Sequence, residues 1–125
     1  MTPMEWLALA GGGAVGAGGR YVVDDLVMRG RRDAFPLGLL VVNVSGSFAA
    51  GVLLGLGALV APLWTVILGV GLLGGYTTFS AVFVDAAVLA RSGRRDWGRL
   101  NLIGTVVLSL VAAALGLLVG GLFPR

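Results

Sequence analysis

Apolar residues run along this chain in four long blocks, at about residues 4–23, 36–60, 63–90 and 97–122, with polar and charged residues gathered between them. Each block reaches the roughly 20 residues that a helix needs to cross a bilayer. The pattern predicts an all-α integral membrane protein with four transmembrane helices. The third block carries an interruption, Gly74-Gly75-Tyr76-Thr77-Thr78-Phe79-Ser80. Paired glycines and paired threonines both weaken helix interiors. About twelve residues flank it on each side, so at roughly 1.5 Å per residue each arm is about 18 Å long and the interruption falls near the bilayer midplane. Carbonyls freed at that depth must be buried by protein or meet a watery cavity. The first reading is therefore a helix broken to build a polar site inside the membrane. The competing reading is a glycine contact for close helix packing.

Composition sharpens the class. The 125 residues make one domain, 1–125, that is 58% hydrophobic and 12% charged, with 22 glycines. That balance lies outside the range of soluble domains. The opening Met1-Thr2-Pro3-Met4-Glu5-Trp6 has no basic n-region and does not read as a cleaved signal peptide. The chain has no cysteine and no histidine, which excludes disulfides, thiol chemistry and imidazole metal sites. With only six carboxylates, mostly in loops, no general acid–base pair emerges, and an enzyme is not expected. The net charge of +3 comes from nine arginines that mostly flank apolar blocks, the pattern of membrane-protein loops, so nucleic acid is not an expected partner.

Those arginines give an orientation. The loops at 24–35 and 91–96 lie on one side of a four-span chain. That side collects Arg29, Arg31, Arg32, Arg91, Arg94, Arg95 and Arg99, with Arg20 near the end of the first block, against Arg125 alone on the other. The positive-inside rule makes both loops cytoplasmic in a cell (inner or plasma) membrane.

Polar residues inside the blocks are the candidates for chemistry. Gly11-Gly12-Gly13-Ala14-Val15-Gly16 matches a dinucleotide-binding pattern in letters only, because no strand–turn–helix unit surrounds it. Packing explains it better: Gly12 with Gly16, Gly51 with Gly55 and Gly116 with Gly120 are G-x-x-x-G pairs that let helices approach closely. Arg20 reads as an interfacial anchor or an anion attractor. Asn43, beside Ser45, Gly46 and Ser47, either bonds a neighbouring helix or offers its two N–H donors to a permeating anion. A phenylalanine such as Phe79 is ordinarily packing, yet its positive ring edge can stabilise a small anion. Asp85 sits near a helix end, at a vestibule or interface position. Asn101, Thr105 and Ser109, spaced i, i+4, i+8, form one polar stripe.

Taken together, Gly11–Tyr21, Val42-Asn43-Val44-Ser45-Gly46-Ser47-Phe48 and Gly74-Gly75-Tyr76-Thr77-Thr78-Phe79-Ser80 resemble the small fluoride channels of the Fluc/CrcB family, with four spans of matching order across essentially the whole chain. The resemblance implies an antiparallel, dual-topology-type dimer of four-helix subunits with fluoride pores along the subunit interface. It implies Asn43 as the pore asparagine, Phe79 as the first pore phenylalanine and Arg20 as the arginine at the pore mouth. Gly74 and Thr77 match positions whose main-chain carbonyls hold a structural sodium ion at the dimer centre. Thr78 and Ser80 resemble polar positions beside the pore, and Asp85 stands where the family usually has a vestibule glutamate. Asn101, Thr105 and Ser109 match the polar track of the fourth helix, with Asn101 in place of a frequent tyrosine. Four carbonyls from two inverted subunits would suit a hard cation, and amide, hydroxyl and aromatic-edge donors would suit fluoride.

Two features depart from the family pattern. A second phenylalanine is usual three residues after the first; here that position is Val82, and Phe83 lies one residue later, turned by about 100° around the helix. The arginine bias is also strong for a subunit that inserts equally both ways. Both features fit a subunit of a heterodimer with an inverted paralogue as well as a homodimer. The expected function is passive fluoride export, with fluoride and membrane lipid as partners. The alternatives are a non-conducting subunit that completes its paralogue's pore, and a small multidrug-type proton-coupled exporter. The last needs an embedded carboxylate, for which Glu5 lies too near the terminus and Asp85 too near a helix end.

Overall fold

The computed structural model describes residues 1–31 and 35–124; Arg32, Asp33 and Arg125, which enter the charge argument, lie outside the described residues. Those described are helical almost throughout, with no strand among them. Helix α1 spans Pro3–Met28 and α2 spans Leu37–Leu56, extended by a short 3₁₀ turn, Gly57–Leu59. Next come Pro62–Thr65, Val66–Leu73 and Gly74–Tyr76, which run on as one helix over 62–76, here α3. After a break, α4 covers Ser80–Arg91 and α5 covers Arg95–Gly121.

Local chemistry sets the ends. Thr2 and Glu5 form a reciprocal capping box at the start of α1: the Thr2 amide donates to Glu5 Oε2 at 2.7 Å and the Glu5 amide to Thr2 Oγ1 at 3.2 Å. Glu5 is thereby committed to a helix cap. At its other end α1 runs on to Met28, past residue 23 and into the stretch expected as loop. The α4–α5 turn, 92–94, is closed by Gly93 at φ 81°, a conformation that costs glycine nothing. The segment Val66–Leu73 is wound as a π-helix, with the Gly74 amide reaching back to the Gly69 and Gly71 carbonyls.

Three stretches are long and apolar enough to cross a membrane: Leu37–Leu59, Pro62–Arg91 and Arg95–Gly121. The protein is an integral membrane protein by that measure. At 26 residues α1 has the length, but six glycines dilute it. Exposed tryptophans mark helix starts, Trp6 on α1, Trp64 on α3 and Trp97 on α5, as interfacial aromatics do. Trp97 sits edge-on to Phe35, ring centroids 6.0 Å apart, with the Arg94 guanidinium 5.0 Å above it.

Glycines decide which helices touch. A Cβ at Gly51 or Gly55 would strike the Ala113 or Leu117 carbonyl, and one at Gly116 or Gly120 would strike the Phe48 or Val52 carbonyl. Residue numbers rise together on the two sides, so α2 and α5 run parallel along a seam of glycine against backbone. The pair α1 and α3 is built the same way. Gly12 faces Ile67 and Leu72, Gly16 faces Leu72 and Tyr76, and Gly75 faces the Gly13 carbonyl. All three G-x-x-x-G pairs are therefore packing devices. The Gly11–Gly16 stretch lies within helix, as the rejection of a dinucleotide site requires.

Candidate functional site

The site is the break between α3 and α4. Helix persists through Gly74 and Gly75, and the chain leaves it at Thr77, whose backbone is extended at φ −81°, ψ 152°. The glycines stay helical because Gly75 is occupied in packing against Gly13. The cause of the break comes from another helix. Asn43, on α2 and 1% exposed, donates from Nδ2 to the Thr78 carbonyl at 2.7 Å and accepts the Thr78 amide on Oδ1 at 2.8 Å. The side-chain amide thus mimics a neighbouring strand and holds the unwound peptide from both ends. Gly46, one turn along α2, permits this approach, since a Cβ there would press into Thr77 and Tyr76.

The clamp limits what else Asn43 can bind. Both its oxygen and one N–H face the break, so at most one N–H remains for anything else. Around it, the Thr77 amide and hydroxyl both donate to the Leu73 carbonyl at 2.9 Å. Thr78 Oγ1 lies 3.1 Å from Ser80 Oγ and accepts the Ala81 amide at 3.5 Å, capping the start of α4. Sequence patterning gives Tyr76 no role, yet its hydroxyl lies 3.0 Å from Ser45 Oγ, which donates to the Val42 carbonyl. Only proximity to the break could have pointed to it.

The diverted amides have a consequence for the carbonyls. The Thr78 amide would close a helical turn on Gly74, and the Ala81 amide one on Thr77; both are turned elsewhere. The Gly74 and Thr77 carbonyls are thereby left out of the helical ladder, Gly74 on an exposed surface and Thr77 half-buried. Two hard oxygens so placed suit a hard cation in chemistry.

Beyond the break, α4 has two faces. Phe79 and Phe83 are 44% and 60% exposed, one helical turn apart on the outer face, with Ser80 exposed beside them. Val82 faces inward, fully buried, and its carbonyl accepts Asn101 Nδ2 at 3.2 Å. Asn101, Thr105 and Ser109 of α5 are buried with it as one stripe. Asn101 Oδ1, Thr105 Oγ1 and Ser109 Oγ have no hydrogen-bond partner among the described residues. Buried polar atoms are normally paired, so three unpaired in register stand out in this interior.

Arg20 and Asp85 take no part in the hydrogen bonds that hold the break. Arg20 is half-buried on α1, close enough to Asp24 for their charges to interact. Asp24, just beyond the first block, has its carboxyl held above the usual range by partial burial first and then by Asp25, with Arg20 acting against both. Asp85, on α4, is half-buried and within reach of the Asp24 charge. The structure therefore gathers Asn43, Gly74, Thr77, Thr78, Phe79 and Ser80 at one place. Val82 and the α5 stripe line the subunit interior behind it, Phe83 extends its outer face, and Arg20 and Asp85 lie toward the arginine-rich end.

Comparison with known proteins bears on what such a site does. The sequence profile of a family described as "CrcB-like protein, Camphor Resistance (CrcB)" matches residues 7–117. Among curated proteins, the chain is similar to the fluoride-specific ion channel FluC 1 of Leifsonia xyli subsp. xyli, 43% identical over 124 residues, covering 98% of this chain and 90% of the relative. It is 44% identical over 120 residues to the fluoride-specific ion channel FluC of Rhodospirillum centenum, covering 94% and 88%. To that of Opitutus terrae it is 41% identical over 121 residues, covering 89% and 88%.

Proposed function

Since the chain belongs to the CrcB family, we propose that it is a fluoride-selective ion channel of the cell membrane that lowers cytoplasmic fluoride by passive export. The observation that carries this reading is the break at 77–79, pinned by Asn43, with Phe79 and Ser80 on its outer edge. Fluoride is small and strongly hydrated, so a protein that replaces its water needs hard donors at short range. The remaining Asn43 N–H, the Thr78 and Ser80 hydroxyls and the positive edge of Phe79 are of that kind. The unpaired Thr105 and Ser109 hydroxyls continue the polar path along α5.

The functional unit in this reading is a dimer of four-span subunits in opposite orientations, with residues 4–23 of α1 as the fourth span. The exposed edge of the break, Gly74 and Thr77 to Ser80, forms its centre. The carbonyls of Gly74 and Thr77, doubled by the partner, hold a structural sodium ion. When bound, that ion supplies a fixed positive charge that joins the subunits and favours anions over cations. Arg20 adds positive charge toward the pore mouth, with Asp85 nearby. The arginine-rich stretches 24–35 and 91–96 face the cytoplasm.

Buried Val82 favours a second arrangement. With no aromatic ring at that position, this subunit would complete the pore of an inverted paralogue without conducting by itself. Fluoride efflux from proteoliposomes holding the purified chain alone decides between them. Rapid efflux, lost in Phe79→Ala, is the expected result for a self-sufficient homodimer. Efflux that appears only on adding the paralogue assigns the partner role. Transport that requires a pH gradient would overturn both.

A further inference from the structure

We infer that the outer groove between α4 and α5 is a binding site for an anionic membrane phospholipid. The groove has a volume of about 480 Å³ and begins at the α4–α5 turn. Its floor is Ala86, Ala87 and Ala90 of α4 against Gly98 of α5, and Phe83 closes its inner end. Gly98 is what brings the floor together, since a Cβ there would come within 2.9 Å of the Ala86 carbonyl. At the outer end stand Arg95 and Arg99, both exposed and one helical turn apart.

Charge and polarity fix the occupant. No carboxylate lines the groove, and neither arginine forms an ion pair among the described residues, whose one pair joins Arg29 to Asp25. The nearest acid in sequence, Asp96, is exposed beside Arg95 and does not line it. Two guanidiniums one turn apart fit the oxygens of one phosphodiester. Small apolar side chains below them fit an acyl chain and offer a hydrated halide no hydrogen bond. Trp97, edge-on to Phe35 and under the Arg94 guanidinium at the same end of α5, places the arginines at headgroup level. Basic pockets of this kind between membrane helices recruit anionic headgroups. The site depends on the chain's lying in a membrane and not on fluoride transport.

Native mass spectrometry of the full chain, released from vesicles of phosphatidylglycerol and phosphatidylcholine, tests this. The expected result is selective retention of phosphatidylglycerol. Affinity should fall about five-fold for Arg95→Gln or Arg99→Gln and about thirty-fold for both, at about 1 kcal/mol per arginine. Ala87→Trp, which fills the groove and keeps both charges, should also release the lipid, and millimolar inorganic phosphate should not. Equal retention of phosphatidylcholine, or unchanged retention in the double variant and in Ala87→Trp, would overturn the site. So would conversion of dimer to monomer by Ala87→Trp, which would make the groove a subunit contact. A drop in fluoride flux on removing the arginines in pure phosphatidylcholine would make it an anion vestibule instead.

Discussion

Asn43 does at the residue scale what no residue of the third block does for itself. It takes the Thr78 amide out of α3 and satisfies the peptide it has exposed. Replacing it with alanine leaves a donor and an acceptor unpaired in the interior, at about 1–3 kcal/mol each. Asn43→Ala should therefore lower unfolding stability in mixed micelles by about 2–6 kcal/mol, and Asn43→Asp, which sets a buried carboxylate against the Thr78 carbonyl, should not restore it. Thr105 predicts the opposite pattern. Its hydroxyl is buried and unpaired, so Thr105→Val removes a desolvation cost and should leave thermal stability unchanged or raised. In the same variant fluoride efflux should fall, a split that a purely structural threonine would not show. Asp24 gives a pH test. Its folded carboxyl binds a proton more tightly than the unfolded one, whose ordinary value is 3.8. The charged form thus opposes folding above that range, and the opposition fades as pH falls through the raised value. Asp24→Asn should be the more stable protein at neutral pH and lose its advantage on acidification, as read by melting temperature. Asn43 and the 101/105/109 stripe stood out as polar residues in apolar blocks, whereas Phe79, an ordinary residue there, was singled out by the family resemblance. The clamp itself was not legible, because a hydrogen bond spanning 35 positions leaves no periodic trace.

Among the elements, the break was legible, and it falls inside the interruption 74–80, at its threonine end rather than its glycine end. Gly74-Gly75 look like the weakest point of the block by helix propensity, yet they remain helical because α1 packs on them. Tertiary contact overrides propensity there, and the chain opens three residues later, where α2 supplies a substitute partner. The π-wound stretch 66–73 has no sequence signature, since its residues would serve equally well in an ordinary apolar helix. The glycine pairs announced close packing without naming partners, and only the structure matches α1 with α3 and α2 with α5. Gly116→Leu should wedge α2 from α5 against the Phe48 carbonyl. Overpacking typically costs about 1–3 kcal/mol, and more where backbone must move. The measurement is the yield of monodisperse protein on size exclusion, expected to collapse.

On the scale of the whole molecule, the membrane-length apolar helices were readable from hydropathy, and the structure has three of them among the described residues. The assembly was not readable, because a surface that meets a partner and one that meets lipid are both apolar. The absence of cysteine makes the proposed dimer directly testable. Gly74→Cys, at the exposed edge of the break, should form an intersubunit disulfide on mild oxidation in membranes. Leu110→Cys, on the outer face of α5, should not.

The seam between α2 and α5 carries a warning for genetics. Because carbonyls fill the space where side chains would sit at Gly51, Gly55, Gly116 and Gly120, nearly every amino-acid substitution there should abolish growth on toxic halide as completely as loss of Phe79. A survival screen alone would therefore draw the conduction pathway around four positions that no ion meets. Pairing it with a count of protein reaching the membrane would return those four to the scaffold.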